Sequence, residues 1–222
     1  MGRENSRRSI QMEKKGILAV VSGFSGAGKG TVMKRLLDGY PDRYALSISA
    51  TTRTPRPGES NGREYFFVSK EEFEEMIRAD ALVEYAQYVG NYYGTPKEYV
   101  LQQLNQGKDV ILEIEIQGAL KVKAAYPDTL LLFLSPPSAG ELKSRLVNRG
   151  TEDESVIASR LSRAWQEAQG VEQYDYFVIN DGLEECVREV HSIIQNEHAR
   201  AARNHEVIEK IRAELKEFAK GE

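Results

Sequence analysis

The chain alternates between short apolar runs and longer segments whose apolar residues recur at helical spacing. Four apolar runs predict buried strands, because continuous aliphatic and β-branched residues over four to eight positions are typical of strands covered on both faces. These runs lie at 16–22, 109–115, 129–134 and 176–180. Helical spacing is found between them, at 31–38, 119–125, 140–149, 155–169 and 183–196. The alternation predicts an α/β fold with a mostly parallel sheet and helices on both of its faces.

Residues 47–98 interrupt this pattern. They are rich in tyrosine and threonine, alternate with period two at 64–68 and 82–86, and contain proline and glycine turn signals. We interpret them as a small mixed-strand insertion with a short helix at 70–79. The predicted organisation is a flexible N-terminal extension (1–15), a core (16–46, 99–135 and 170–197), the insertion (47–98), a helical lid (136–169) and a charged C-terminal helix (198–222).

Composition narrows the range of functions. The 222 residues carry a formal net charge of −4, which gives no electrostatic reason to expect nucleic acid or an anionic membrane as a partner. The single cysteine, Cys186, excludes an intrachain disulfide and a four-cysteine zinc site. The three histidines all lie in the C-terminal part of the chain, which argues against a catalytic histidine.

The first fifteen residues hold five basic and two acidic side chains and lack the apolar middle of a signal peptide. No apolar run approaches the roughly 18–20 residues that span a bilayer. We therefore expect a cytoplasmic protein without a membrane partner. A transit peptide is the less favoured alternative, because of the two acidic residues.

A glycine-rich segment with one lysine points to phosphate binding. Gly23, Gly28 and Lys29 have the spacing G-x-x-x-x-G-K between a predicted strand and a predicted helix. Glycines let backbone N–H groups point inward around phosphate oxygens, and the lysine adds a point charge for the terminal phosphates. A plain glycine-rich turn is less favoured because of the flanking elements. Gly30 replaces the Ser or Thr that would hold magnesium, so we expect phosphates and water to hold that ion.

Arg53 and Arg56 lie close together in a turn-forming segment of the insertion. Two guanidinium groups can chelate one phosphate, and Tyr65 can add a hydroxyl donor. From the residues alone, a solvated pair of charges is an equally good interpretation.

The segment 51–68 resembles the signature of the guanylate kinase family. The matching positions are Thr51, Thr52, Arg53, Arg56, Glu59, Gly62 and Tyr65. Further matches lie at 90–95, 113–118, 145, 149–151 and 180–181, so the resemblance covers roughly residues 16–197. It implies a three-layer α/β/α P-loop fold whose insertion binds GMP and whose lid closes over ATP. The implied reaction is transfer of the ATP γ-phosphoryl group to GMP, and to dGMP, in purine metabolism.

The resemblance also implies roles for individual residues. The implied ATP-binding residues are Gly23, Phe24, Ser25, Gly26, Ala27, Gly28, Lys29, Gly30, Thr31 and Asn180. The implied GMP-binding residues are Ser49, Arg53, Arg56, Tyr65, Glu84, Tyr93, Thr95, Glu113 and Glu115. The implied catalytic residues are Lys29, Arg53, Arg145, Arg149 and Arg160. Glu113 and Glu115 stand where the family usually has Asp, and the expected roles for them are to orient water on the Mg²⁺ that enters with ATP, to orient the arginines, or to contact the guanine amino group.

Glu84 provides a chemical reason to expect guanine as the base of the nucleotide that accepts the phosphoryl group. One carboxylate can accept both the N1–H and the N2 amino group of guanine, whereas adenine presents an acceptor at N1. An ordinary exposed acid is the alternative for this residue.

Two rival functions remain open: a kinase for another monophosphate or a phosphorylated sugar, and a catalytically inactive guanylate-kinase-like interaction module. The presence of Lys29, Arg53, Arg56 and the lid arginines favours an enzyme over the module.

Overall fold

The structure is a computed structural model of the chain and describes residues 15–88, 90–148 and 153–219. Its strands are β1 (Leu18–Gly23), β2 (Tyr44–Leu46), β3 (Ala50–Thr51), β4 (Phe66–Phe67), β5 (Leu82–Tyr88), β6 (Asn91–Pro96), β7 (Asp109–Leu112), β8 (Leu130–Ser135) and β9 (Tyr176–Ile179). Its helices are α1 (Lys29–Gly39), α2 (Lys70–Arg78), α3 (Lys97–Asn105), α4 (Ile116–Ala125), α5 (Ala139–Asn148), α6 (Glu154–Ala168), α7 (Leu183–Glu197) and α8 (His205–Ala219).

Five strands form the core sheet in the order β2-β7-β1-β8-β9, and every pairing in it is parallel. The central strand, β1, is buried on both faces. Ala19 and Val21 pack in the apolar cluster that includes α1 and α7, while Val20 packs with residues of α3 and α4. The predicted α/β class, with helices on both faces of a mostly parallel sheet, is confirmed.

A second sheet, in the order β4-β3-β6-β5, lies within the insertion. Its β3–β4 pair is parallel, whereas β3–β6 and β5–β6 are antiparallel. The fully buried ring of Phe73, on α2, stacks on Tyr92 of β6 and anchors the helix to the sheet. Ser69 begins α2 with a capping box, because its side chain accepts the Glu72 N–H while the Glu72 carboxylate accepts the Ser69 N–H. The small mixed sheet therefore has its own apolar core.

Helices α5 and α6, which fall in the predicted lid, pack on each other through Leu142, Leu146 and Ala164. Trp165, the only tryptophan of the chain, lies on α6 and is 71% exposed. With Phe177 and Ile179 of β9 it lines an apolar hollow of about 400 Å³ between the lid and the edge of the core sheet.

Two strand predictions are wrong in part. The run 109–115 predicts a strand through Glu115, but β7 ends at Leu112. Glu115 instead caps α4, where its carboxylate accepts the Gly118 N–H at 3.3 Å. The run 176–180 predicts a buried strand, but β9 lies at the end of the sheet, and Phe177 and Ile179 are about half exposed there.

A buried polar network holds the start of β7. Asp109 accepts hydrogen bonds from the Ile17 backbone N–H at 2.8 Å and from Gln195 Nε2 at 3.1 Å, and His198 Nε2 lies 2.8 Å from its Oδ1. Gln195 also donates to the Tyr44 hydroxyl, which lies 2.7 Å from His191 Nδ1. The network ties α7 to the amino ends of β2 and β7.

The C-terminal helix α8 presents Ile211, Leu215 and Phe218 on its surface, each of them about half exposed or more. The predicted extension 1–15 falls almost entirely outside the described residues, as do the last three residues of the chain. None of the helices in the described part combines the length and the apolar character that crossing a membrane requires.

Candidate functional site

The glycine loop joins the carboxyl end of β1 to the start of α1. Gly28, the residue before the helix, has a φ of 87°, a left-handed conformation that residues with a Cβ rarely adopt. A Cβ at this position would also lie 2.6 Å from Nδ2 of Asn180. That amide is buried and donates to the Ala27 carbonyl at 2.8 Å. Asn180, expected to contact ATP, is therefore placed behind the loop, where it holds the backbone in shape.

Lys29 is the first residue of α1, and its side chain curls back over the loop. Its Nζ donates to the carbonyl of Gly23 at 2.6 Å and to that of Phe24 at 3.3 Å. The ammonium group and the positive end of α1 therefore lie at the same point of the chain, which suits an anion. Gly30 and Thr31 follow, and both residues are exposed.

A cavity of about 480 Å³ opens between this loop and the lid. It is lined by Ser25, Lys29, Glu113, Glu115, Arg160 and Arg163, among others. Burial raises the pKa of Glu113, and the nearby charge of Lys29 lowers it to a smaller extent. The cavity thus contains both cationic and acidic side chains, of which the cations come from the loop and from α6.

The lid arginines approach the loop from α5 and α6. Arg145 donates to the backbone carbonyl of Asn180 at 3.0 Å, and Arg160 donates to Oγ of Ser25 at 3.0 Å. Arg149, the third arginine expected here, lies outside the described residues. Of the three expected arginines, Arg160 therefore contacts the glycine loop itself, while Arg145 contacts Asn180, whose side chain bonds to that loop.

The insertion carries the second group of expected residues. The guanidinium of Arg53 lies over the ring of Tyr65 at 5.3 Å, and the ring of Tyr93 lies beside that of Tyr65. The rings of these two tyrosines meet edge to face at 6.0 Å. Arg56 is exposed on the adjoining turn. The structure thus groups Arg53 with both tyrosines, and Arg56 follows on the same turn.

Glu84 and Thr95 form a pair on neighbouring strands of the insertion. The hydroxyl of the fully buried Thr95 donates to Glu84 Oε1 at 2.8 Å. Burial raises the pKa of Glu84, its hydrogen bond with Thr95 lowers it, and the charge of Glu115 raises it further. A Cβ at Gly118 would lie 3.8 Å from Glu84 Oε2, and the Gly118 N–H donates to Glu115, which lines the cavity beside Lys29. The Glu84–Thr95 pair therefore adjoins the region that the glycine loop faces. Ser49 lies just before β3, where its carbonyl accepts the Phe66 N–H.

Comparison with known proteins places this geometry in a family. The guanylate kinase family model matches residues 15–197. The chain belongs to the guanylate kinase family. It is 52% identical to a guanylate kinase of Bacillus cereus over 190 residues, which cover 86% of this chain and 93% of that protein. It is 49% identical to a guanylate kinase of Caldanaerobacter subterraneus over 205 residues, 92% of this chain and 99% of that one. The crystal structure of guanylate kinase from Anaplasma phagocytophilum aligns with a TM-score of 0.67 at 29% identity, covering 86% and 91%.

Sequence reasoning missed two side chains of this guanylate kinase cleft. Arg163 received no role from the sequence, yet it lines the cavity, with Nε bonded to Glu167 at 3.0 Å and Nη2 4.0 Å from Glu115. Glu59 belongs to the matched signature but received no role, and it makes a two-point contact with Arg53. The spacing of Arg163 and Glu167, four residues apart on one helix, is the signal that could have indicated a fixed side chain.

Proposed function

We propose that this protein transfers the γ-phosphoryl group of ATP directly to GMP, giving ADP and GDP, in the cleft between the glycine loop, the insertion and the lid. The observation that carries the proposal is the position of the Glu84–Thr95 pair beside Glu115, a residue that lines one cavity with Lys29. A carboxylate suited to guanine thus adjoins a loop suited to nucleotide phosphates. Membership of the guanylate kinase family supports the same reaction.

ATP is assigned to the glycine loop. Backbone N–H groups of residues 23–31 and Lys29 hold the terminal phosphates, while Asn180 keeps the loop in shape from behind. Arg145, Arg149 and Arg160 stabilise the charge that spreads over the transferring phosphoryl group. Arginines in such positions are worth about 10³–10⁵ in rate.

GMP is assigned to the insertion. Arg53, Arg56, Tyr65 and Tyr93 hold its phosphate, and Ser49, Glu84 and Thr95 read the guanine. The attacking phosphate oxygen is already ionised near neutral pH, so no covalent intermediate and no general base are needed. Catalysis then rests on positioning and charge stabilisation. Closing the insertion and the lid over both nucleotides excludes water, which would otherwise take the phosphoryl group.

Magnesium fits this cleft as a companion of ATP. In the described part of the chain, no group of three or more His, Cys, Asp or Glu side chains could hold a metal ion. Phosphate oxygens and water would be its main ligands, and Glu113 and Glu115, which line the cavity, are the protein groups that would hold that water. When bound, Mg²⁺ neutralises charge on the β- and γ-phosphates. We propose that dGMP is also accepted and that the enzyme works in the cytoplasm, where these nucleotides are found, without a nucleic acid partner.

A substrate panel tests the proposal. ADP formation is measured with ATP, Mg²⁺ and each of GMP, dGMP, AMP, CMP, dTMP and a phosphorylated sugar. GMP is expected to give the highest kcat/KM, followed by dGMP. A higher value for another acceptor would replace GMP as the substrate, and GMP binding without any turnover would support the inactive interaction module instead.

A further inference from the structure

Glu59 makes a set of contacts that none of the assigned roles explains. Its carboxylate accepts a hydrogen bond from Nη1 of Arg53 at 2.9 Å, from Nη2 of the same residue at 3.0 Å, and from the backbone N–H of Arg56 at 2.7 Å. The Arg53 and Glu59 side chains are only 15% and 18% exposed. A two-point arginine–carboxylate contact fixes the direction of the guanidinium plane as well as its distance.

Other contacts hold the same guanidinium from further directions. Nη1 of Arg53 donates to the Thr54 carbonyl at 2.8 Å, and the charged group lies over the rings of Tyr65 at 5.3 Å and Phe67 at 5.7 Å. Glu59 and Thr54 account for three of the five N–H groups of the guanidinium. The other two belong to Nε and Nη2 and lie along one edge, a fork that matches two phosphate oxygens.

The charge states agree with this arrangement. The hydrogen bond from Arg53 and the backbone N–H of Arg56 hold the pKa of Glu59 below its ordinary value, so the carboxylate is ionised near neutral pH. The same bond raises the pKa of Arg53. A fully charged pair is therefore in place before any substrate arrives.

We propose that Glu59 is a positioning residue, which orients Arg53 so that its Nε–Nη2 edge meets the GMP phosphate. The inference rests on the proposed function, because it assigns that phosphate to Arg53. An unrestrained arginine side chain samples many rotamers, and fixing it at the moment of binding weakens affinity. Glu59 fixes it beforehand. It touches no reacting atom, so its effect reaches the substrate through Arg53 and through the backbone of Arg56, whose N–H it also accepts.

The test compares Glu59→Gln with Glu64→Gln. Glu64 is the matched control because it lies in the same segment and also accepts one arginine bond, from Arg63 Nε at 2.6 Å, and one backbone bond, from Ser60 N–H at 2.7 Å. Arg63, however, is 65% exposed and has no assigned role. Steady-state kinetics, calorimetric binding of GMP and thermal unfolding are measured for both variants and for Glu59→Asp.

Glu59→Gln is expected to raise KM for GMP about 10- to 100-fold, with KM for ATP unchanged and Tm close to that of the parent. Glu64→Gln is expected to leave both KM values unchanged. Glu59→Asp, which keeps the charge, is expected to recover part of the loss. An equal rise in KM with both Gln variants, accompanied by equal losses of Tm, would overturn the proposal in favour of a loop-holding role.

A lower KM for GMP in Glu59→Gln would also overturn it, because Glu59 would then compete with the phosphate for Arg53. An unchanged KM for GMP would overturn it as well, because Glu59 would then have no effect on GMP binding. The reaction itself is judged separately, from the activity of the unmodified protein. If that protein binds GMP without phosphorylating it, the proposed function is wrong, and the calorimetric dissociation constants still decide the role of Glu59. If it binds no GMP, both proposals are wrong.

Discussion

The two ends of strand β7 carry acidic residues in opposite situations. At its start, the Asp109 side chain is 3% exposed and contacts the Ile17 N–H, Gln195 and His198. Just beyond its end, Glu113 faces the cavity that contains Lys29, and burial raises its pKa. A carboxylate whose neighbours are all protein groups belongs to the architecture, whereas one at the wall of a cavity is available to a ligand.

The histidines follow the same division. His191 and His198 both belong to the network at the Asp109 end, and His191 stacks on the Tyr40 ring with the centroids 3.8 Å apart. These two side chains therefore contact protein groups at the Asp109 end of β7. Four predictions test the contrast between the two ends.

The largest effect is expected from Lys29→Ala. Removing the ammonium group takes away a point charge from the terminal phosphates, so kcat should fall at least about 10³-fold, while Tm stays close to that of the parent. Steady-state kinetics and thermal unfolding measure the two quantities. Lys34→Ala is the control, because Lys34 lies on the same helix with its side chain 77% exposed. Turnover like that of the parent would rule out the assigned mechanism.

Glu84→Gln tests the base-reading role at the ligand end. The amide replaces one carboxylate oxygen with an NH2 donor, so guanine keeps an acceptor for only one of its two donors and faces a donor at the other. The ratio of kcat/KM for GMP over AMP should therefore fall about 10²-fold. The two acceptors are compared at saturating ATP. Gln87→Ala, on the same strand with an exposed side chain, should leave the ratio unchanged. If the preference for GMP survives in Glu84→Gln, another residue reads the base.

Asp109→Asn and Glu113→Gln form a reciprocal pair. An amide cannot accept at all three Asp109 contacts, so the free energy of unfolding should fall by about 1–3 kcal/mol with kcat retained by the folded protein. Glu113→Gln should shift that free energy by no more than about 0.5 kcal/mol and should lower kcat. Urea unfolding and kinetics are measured on both variants. The contrast between the two ends would be lost if each change altered stability and rate alike.

The smallest effect concerns acidification. Burial, helped by the charge of Arg43, lowers the pKa of His191 in the folded protein, so the unfolded chain takes up the proton first as pH falls. The contribution of neutral His191 to the free energy of unfolding is therefore fully present above about pH 6.5, the pKa of an unfolded histidine. It is lost as the pH falls toward and through the lower pKa of His191 in the folded protein. Tm should decline less between pH 7 and 5 in His191→Gln than in the parent, and the exposed His205→Gln should match the parent. Equal slopes in all three proteins would exclude His191 as the cause.

Much of the core could be predicted because its signals are local. The apolar runs that became β1 and β8 are buried on both faces, and the glycine spacing alone located the loop before α1. Elements with weaker patterns were missed: β2 has three residues, and α3 follows β6 without an intervening loop. The strength of a local pattern, rather than the importance of an element, determined what the sequence could reveal.

In the site, the glycine loop and the Arg53–Arg56 pair could be recognised from the residues themselves, and Glu84 was named from the resemblance. The contacts of Asn180 and Asp109 could not be predicted, because their partners come together only on folding. Asn180 and Ala27 are 153 positions apart, and Asp109 and His198 are 89 apart. No periodicity or spacing encodes such pairs, because they arise from the order of strands in the sheet.

The lone tryptophan gives the lid an optical signal of its own. Since the chain has one indole and it lies on α6, the protein's long-wavelength fluorescence originates from a single helix. That indole is mostly in water, yet it borders an apolar hollow lined by Phe177 and Ile179. Any movement of α6 toward β9 would transfer the ring from water to hydrocarbon and shift its emission to the blue. The position of the lid can thus be followed in solution without an attached dye.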